Sequence, residues 1–171
     1  MTNYFNNTEV NILGNAELRE PQIFAYSKAL EYYINNKDSK DREIVIVLPT
    51  GTGKTGLMAI LPYKIAQKRV LIITPQLTIK NGILKNLTVG PENFYLKFNI
   101  IEHPMYLPKI SEYRKDLSVK VYEDSEIVIA NIHKLQQRLT KSLLKRVSPD
   151  FFDLIIIDEA HHSAAKSWIE A

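Results

Sequence analysis

Residues 48 to 56 read Leu-Pro-Thr-Gly-Thr-Gly-Lys-Thr-Gly, with three glycines and three threonines around one lysine. Glycines let successive backbone N–H groups turn into one concavity, a nest for anionic oxygens. A helix beginning at the end of such a loop adds the positive end of its dipole to the same spot. Lys54 can reach the outer phosphates of a nucleotide as a point charge, and the Thr55 hydroxyl can ligate Mg²⁺. The strict pattern G-x-x-x-x-G-K-[ST] asks for glycine at 48, where this chain has Leu48. That position closes the preceding apolar run. The cradle itself comprises Thr50, Gly51, Thr52, Gly53, Lys54 and Thr55.

A second chemical cluster follows the run Leu-Ile-Ile-Ile, which delivers Asp158 and Glu159 and continues Ala-His-His. Asp158 is suited to Mg²⁺, an ion that keeps part of its hydration shell and prefers carboxylate and phosphate oxygen. Glu159 is suited to orient and deprotonate an attacking water. Alone, such a pair reads equally well as solvated acids at a strand end. Beside a phosphate loop the catalytic reading outweighs that one. His161 and His162 raise the possibility of zinc, but adjacent histidines point their rings apart and the chain has no cysteine, so that reading is set aside.

Both clusters need elements to position them. Ile23, Tyr26, Leu30 and Ile34 recur at helical spacing and predict a helix over Glu20 to Ile34, after an irregular lead-in through residue 18. A polar loop, 35–43, leads to Ile-Val-Ile-Val-Leu (44–48), apolar on both faces like a strand of a covered parallel sheet. A helix is expected from Lys54 to about Lys68, kinked or cut by Pro62. Strands are expected at 69–75, 125–131 and 152–158, with helices over Gln76–Leu87 and His133–Val147. Between them, 93–102 and 117–123 read as strands, with a loop or short helix over 104–116. Strands alternating with helices predict an α/β fold, a mostly parallel sheet with helices on both faces. Ligands bind such sheets at the carboxyl ends of strands, where both clusters fall.

The bulk composition is that of an ordinary globule: 171 residues, 45% hydrophobic, 22 Lys and Arg against 19 acids. A net charge of +3 is too small to argue for nucleic acid unaided. Without cysteine there is neither a disulfide framework nor a thiolate metal site. The N-terminus has no signal-peptide pattern, and no apolar run approaches the roughly 18 residues of a membrane helix. The expected location is the cytoplasm, with no membrane partner.

With Pro-Thr-Gly-Thr-Gly-Lys-Thr and Asp-Glu-Ala-His both present, the chain resembles the first RecA-like P-loop domain of superfamily-two helicases and translocases. The resemblance is to the DEAH-type group of restriction-enzyme motor subunits and bacterial repair or defence helicases. It runs from about Leu18 to Trp168. In that family the loop reads P-T-G-x-G-K-T, so Leu48 is ordinary. The resemblance implies ATP and Mg²⁺ as cofactors and an ATP-driven helicase or translocase, with DNA ahead of RNA as the track. It implies an adenine-reading role for Gln22 in Leu-Arg-Glu-Pro-Gln, although Pro21 replaces the family's aromatic residue. It assigns backbone contacts to Thr74 and Pro75, then to Asn131 and His133, and a coupling role to His161. The Ser-Ala-Thr motif usual after the DEAH box is missing. The implied organisation is a lead-in, 1–18, and a first RecA-like domain, 19–171, short of its last strand or strands. A second RecA-like domain with its arginine finger, worth roughly 10³ to 10⁵ in rate, would lie in a longer chain. This piece alone is expected to be almost inactive. A nuclease or methyltransferase domain or subunit is a further implied partner.

Lys134, Arg138, Lys141 and Lys145 would share one face of the expected helix after His133, and a basic stripe can follow a phosphate backbone. A solvated amphipathic face explains the same pattern more simply. Two rival functions remain: a nucleotide-dependent switch or scaffold, and an ATPase that acts on protein.

Overall fold

The computed structural model describes residues 3–39, 42–75, 77–88, 90, 92–135 and 142–160. Its centre is a four-stranded, wholly parallel sheet in the order β2-β3-β1-β4. The strands are β1 (Val70–Thr74), β2 (Ile110–Glu112), β3 (Ile127–Asn131) and β4 (Leu154–Ile157). Val70 stands opposite both Ile127 and Leu154, and Thr74 opposite Asn131. The strands therefore finish along one edge. The ladder runs one step past β4, where the Asp158 N–H donates to the Ile73 carbonyl at 2.9 Å.

Side chains alternate across a strand, and this divides the interior in two. Val70, Ile72, Ile127 and Ile129 join a main core with α2 (Glu20–Asn35), α3 (Lys54–Ile60), α4 (Leu77–Leu87) and α5 (Phe94–Lys97). Leu71, Ile73, Val128 and Ala130 face the other way, against α6 (Val119–Glu123), α7 (Leu143–Arg146) and Phe151. Helices thus cover both faces, as the alternation of elements predicts. The lead-in also belongs to the main core: it holds a one-turn helix, Tyr4–Asn7, and buries Phe5, Ile12 and Leu18.

Two local features set α2 and α3 against the sheet. Pro21 occupies the first turn of α2, where its missing N–H costs nothing, and the Gln22 side chain accepts from the Arg19 N–H at 3.0 Å. α3 stops at Ile60, and Pro62 begins a turn that its carbonyl closes by accepting from Ile65 and Ala66. Buried Tyr95 hydrogen-bonds the Ala59 carbonyl at 3.1 Å, holding the C-terminal end of α3.

Several local expectations are corrected. Ile44–Leu48 is not a buried strand: it pairs with no described strand. Val45 and Val47 are each 85% exposed, while Ile46 and Leu48 pack on the main core. The run has one buried face, not two, because strand formation needs a neighbouring edge that composition cannot supply. Residues 93–102 and 117–123 form short helices instead of strands. Asn93 accepts from the Tyr95 and Leu96 N–H groups and Ser118 from the Lys120 N–H, caps that favour a helical turn over extension. The strand of this region is β2, inside 104–116, behind a 3₁₀ turn at Pro104–Tyr106.

The helix expected over His133–Val147 is interrupted. Asn131 caps a 3₁₀ turn, Ile132–Lys134, and Ser142 is extended, with ψ 142° and its hydroxyl donating to the Leu135 carbonyl. Lys134 and Lys145 therefore do not lie on one continuous helix face. Arg138 and Lys141 lie outside the described residues.

Candidate nucleotide site

Glycines 51 and 53 take left-handed backbone, φ 82° and 94°, which an L side chain adopts only under strain. Thr52 closes the turn between Pro49 and Gly53, its hydroxyl donating to the Pro49 carbonyl at 2.7 Å. The outer wall of the loop is supplied by the start of α2. Gln22 Nε2 donates to the Gly53 carbonyl at 2.7 Å, and the Arg19 guanidinium donates to the Gly51 carbonyl. A Cβ at Gly53 would lie 2.5 Å from Gln22 Nε2. One at Gly56 would lie 2.3 Å from that atom and 2.6 Å from the Phe94 ring. Gly51 answers to backbone conformation, Gly56 to space, and Gly53 to both.

The end of β4 brings Asp158 and Glu159 to this loop. Lys54 Nζ stands 3.5 Å from Glu159 Oε1, bringing the two sequence clusters together. Both groups are partly exposed, so the ion pair contributes at most about 1 kcal/mol to stability. Its importance is positional. Glu159 reaches Lys54 from a left-handed backbone, φ 54°, a conformation that costs a non-glycine residue about 1–3 kcal/mol and collects at functional sites. Asp158 is 8% exposed. Burial pushes its carboxyl above the usual aspartate range and the Glu159 charge adds to this, while Lys54 opposes it. A buried acid held up beside a second carboxylate is short of positive charge.

The chemistry of the donor set suits a magnesium–nucleotide ligand. Thr55 and Asp158 offer hard oxygen donors, suited to Mg²⁺. Among the described residues no cluster of three histidine, aspartate or glutamate side chains could hold a metal alone, so phosphate oxygens and water would have to complete the shell.

Other expected residues are placed differently. The Gln22 carboxamide is buried, with both ends bonded to the chain's own backbone; it staples α2 to the loop. Thr74 is wholly buried at the end of β1. Asn131 is buried beside it, accepting from the His133 N–H at 3.0 Å and donating to the Pro75 carbonyl at 3.2 Å. These residues shape two adjoining turns, at which His133 is exposed and Pro75 partly so. His161 lies outside the described residues. Sequence reasoning passed over Arg19 and Phe94. Gln22 three residues after the N-cap supplied half of a capping box, but arginine is no capping residue, and nothing local marked Arg19 or Phe94.

No described helix is long and apolar enough to cross a membrane. No curated protein matches the chain significantly. A family model described as type III restriction enzyme, res subunit, matches residues 15–171, a span that takes in the phosphate loop, the whole sheet and the acidic pair. With glycine loop and acidic strand end meeting at the carboxyl edge of a parallel sheet, the chain belongs to that family and is a helicase-like ATPase motor domain.

Proposed function

We propose that this chain is the ATP-binding and hydrolysing domain of a DEAH-type nucleic-acid translocase that travels on DNA. The observation that carries the proposal is the approach of Lys54 to Glu159, 3.5 Å apart beside buried Asp158. Bound Mg²⁺ would supply a charge that neutralises the phosphates and polarises the bond to be broken. In this reading Thr50 to Thr55 wrap the phosphates with backbone N–H groups and Lys54 neutralises the outer ones. Thr55 and Asp158 are the side chains that would hold the ion. Glu159 would exchange Lys54 for the attacking water, whose proton it takes.

Residues 19–171 form the first RecA-like domain under this proposal, and a second such domain supplies an arginine finger and completes the motor. The adjoining turns at Thr74–Pro75 and Asn131–His133, at the carboxyl edge of β1 and β3, are the proposed DNA-contacting edge. His133 is its most accessible member. Restriction-type partners, a nuclease or a methyltransferase, belong to the same proposal.

The test is ATP turnover by the complete polypeptide with and without DNA or RNA. DNA stimulation abolished by Lys54→Ala is expected, with Glu159→Gln retaining nucleotide but losing turnover by about 10²-fold or more. Turnover indifferent to every nucleic acid would favour a nucleotide switch, and turnover that survives Lys54→Ala would end the reading.

A further inference from the structure

A cavity lies at the far end of α2 from the phosphate loop. Gln22, near the start of that helix, touches the loop; Tyr33, eleven residues later, lines the cavity. At 1.5 Å rise per residue the two lie about 16 Å apart along the axis. The cavity, about 590 Å³, collects three cations from three segments: Lys37 after α2, Arg42 from the following loop and Lys64 after α3. No carboxylate occurs among its described lining residues. Asp153, bonded to the Gln67 N–H at its rim, is outside the lining and also accepts from the Lys68 and Arg69 N–H groups.

Two of the cations are held in place by neutral partners. The Arg42 guanidinium sits 4.8 Å from the centre of the Tyr33 ring, whose hydroxyl accepts from Gln67 Nε2 at 3.2 Å. Lys64 takes left-handed backbone, φ 64°, and its Nζ donates to the Asn6 carbonyl at 2.7 Å. Among the described residues the partners that fix these two side chains are neutral, so neither contact cancels the charge it holds. The negative end of the α2 dipole offsets about half an elementary charge, a fraction of the three.

We infer that this cavity binds a phosphorylated ligand carrying at least two negative charges, either a nucleic-acid backbone or a free phosphorylated small molecule. A single carboxylate would leave most of the charge unmatched, whereas a guanidinium with two ammonium groups suits several phosphate oxygens. The site is separate from the candidate nucleotide site and does not depend on its reading.

The test uses the complete polypeptide carrying Lys54→Ala, which silences the phosphate loop. Pyrophosphate and a single-stranded DNA 12-mer are titrated separately, before and after Lys37→Glu/Arg42→Glu; both positions are exposed. Affinity for at least one probe is expected to fall by about tenfold or more. Loss confined to the oligonucleotide, with its salt slope reduced by about two, identifies a nucleic-acid backbone. Loss confined to pyrophosphate identifies a small ligand. Should the double variant unfold, Lys37→Ser alone must still weaken binding. No binding of either probe, or binding indifferent to these changes, overturns the inference. Mg²⁺–ATP binding at an intact loop should be unchanged by Lys37→Glu/Arg42→Glu.

Discussion

One substitution, glycine to alanine, should have opposite signs at two helical positions of this molecule. At Gly56, in α3, the new Cβ would meet Gln22 Nε2 at 2.3 Å and the Phe94 ring at 2.6 and 2.8 Å. Real Cβ contacts do not come so close, so both neighbours must move. Displacing Gln22 gives up its bond to the Gly53 carbonyl, about 1 kcal/mol, within a buried group that pays more if left unpaired. Shifting Phe94 is overpacking, about 1–3 kcal/mol. The gain in helix propensity returns about 1 kcal/mol. The net loss is about 1–3 kcal/mol, and for a chain of this size each kcal/mol moves Tm by about 2–4 °C. Gly56→Ala should therefore melt about 2–12 °C below the wild type. At Gly82, in α4, the added Cβ meets nothing within 4 Å, so only propensity acts and Tm should rise by about 2–4 °C. Thermal unfolding followed by circular dichroism measures both. A Gly56→Ala protein as stable as the wild type would refute the packing argument, and a destabilised Gly82→Ala would refute the accounting of propensity.

Val47→Thr should change stability by less than about 0.5 kcal/mol in chemical denaturation, because Val47 is exposed and outside the sheet; a loss comparable with that of a buried valine would put residues 44–48 back into it. Glu112 accepts from Lys80 and Lys134, and Lys80 is 7% exposed. Glu112→Gln should cost about 2 kcal/mol at neutral pH, read from the same denaturant curves. Burial raises the Glu112 carboxyl, but hydrogen bonds and charge from the two lysines outweigh it and hold the group below the usual glutamate range. Its contribution is thus present above the unfolded-state pKa and lost as pH falls through the lower folded-state value, so the wild type and Glu112→Gln should converge in stability on acidification. Asp158→Asn relieves a buried carboxylate of the Glu159 charge and should raise Tm by a few degrees without magnesium and nucleotide, while Mg²⁺-dependent ATP binding by the complete polypeptide is lost; a lowered Tm would contradict the electrostatic account.

Much was legible locally because it depends on neighbours in the chain. The spacing of Ile23, Tyr26, Leu30 and Ile34 marks α2, which runs Glu20–Asn35. The β-branched runs mark β1, β3 and β4, and Pro62 marks the end of α3. The glycine loop and the acidic pair could each be recognised for the chemistry their side chains allow. Tertiary structure decided which apolar run obtains a partner. Ile110–Glu112 becomes a strand because β3 offers it an edge, while the more apolar 44–48 stays unpaired. It decided that Gln22 spends its carboxamide on Gly53, that Glu159 turns back to Lys54, and that three cations gather at the far end of α2. Periodicity and caps act over a few residues, within reach of sequence reasoning. A sheet edge, an ion pair or a cavity exists only after distant segments meet, since its energy depends on distances that folding alone determines.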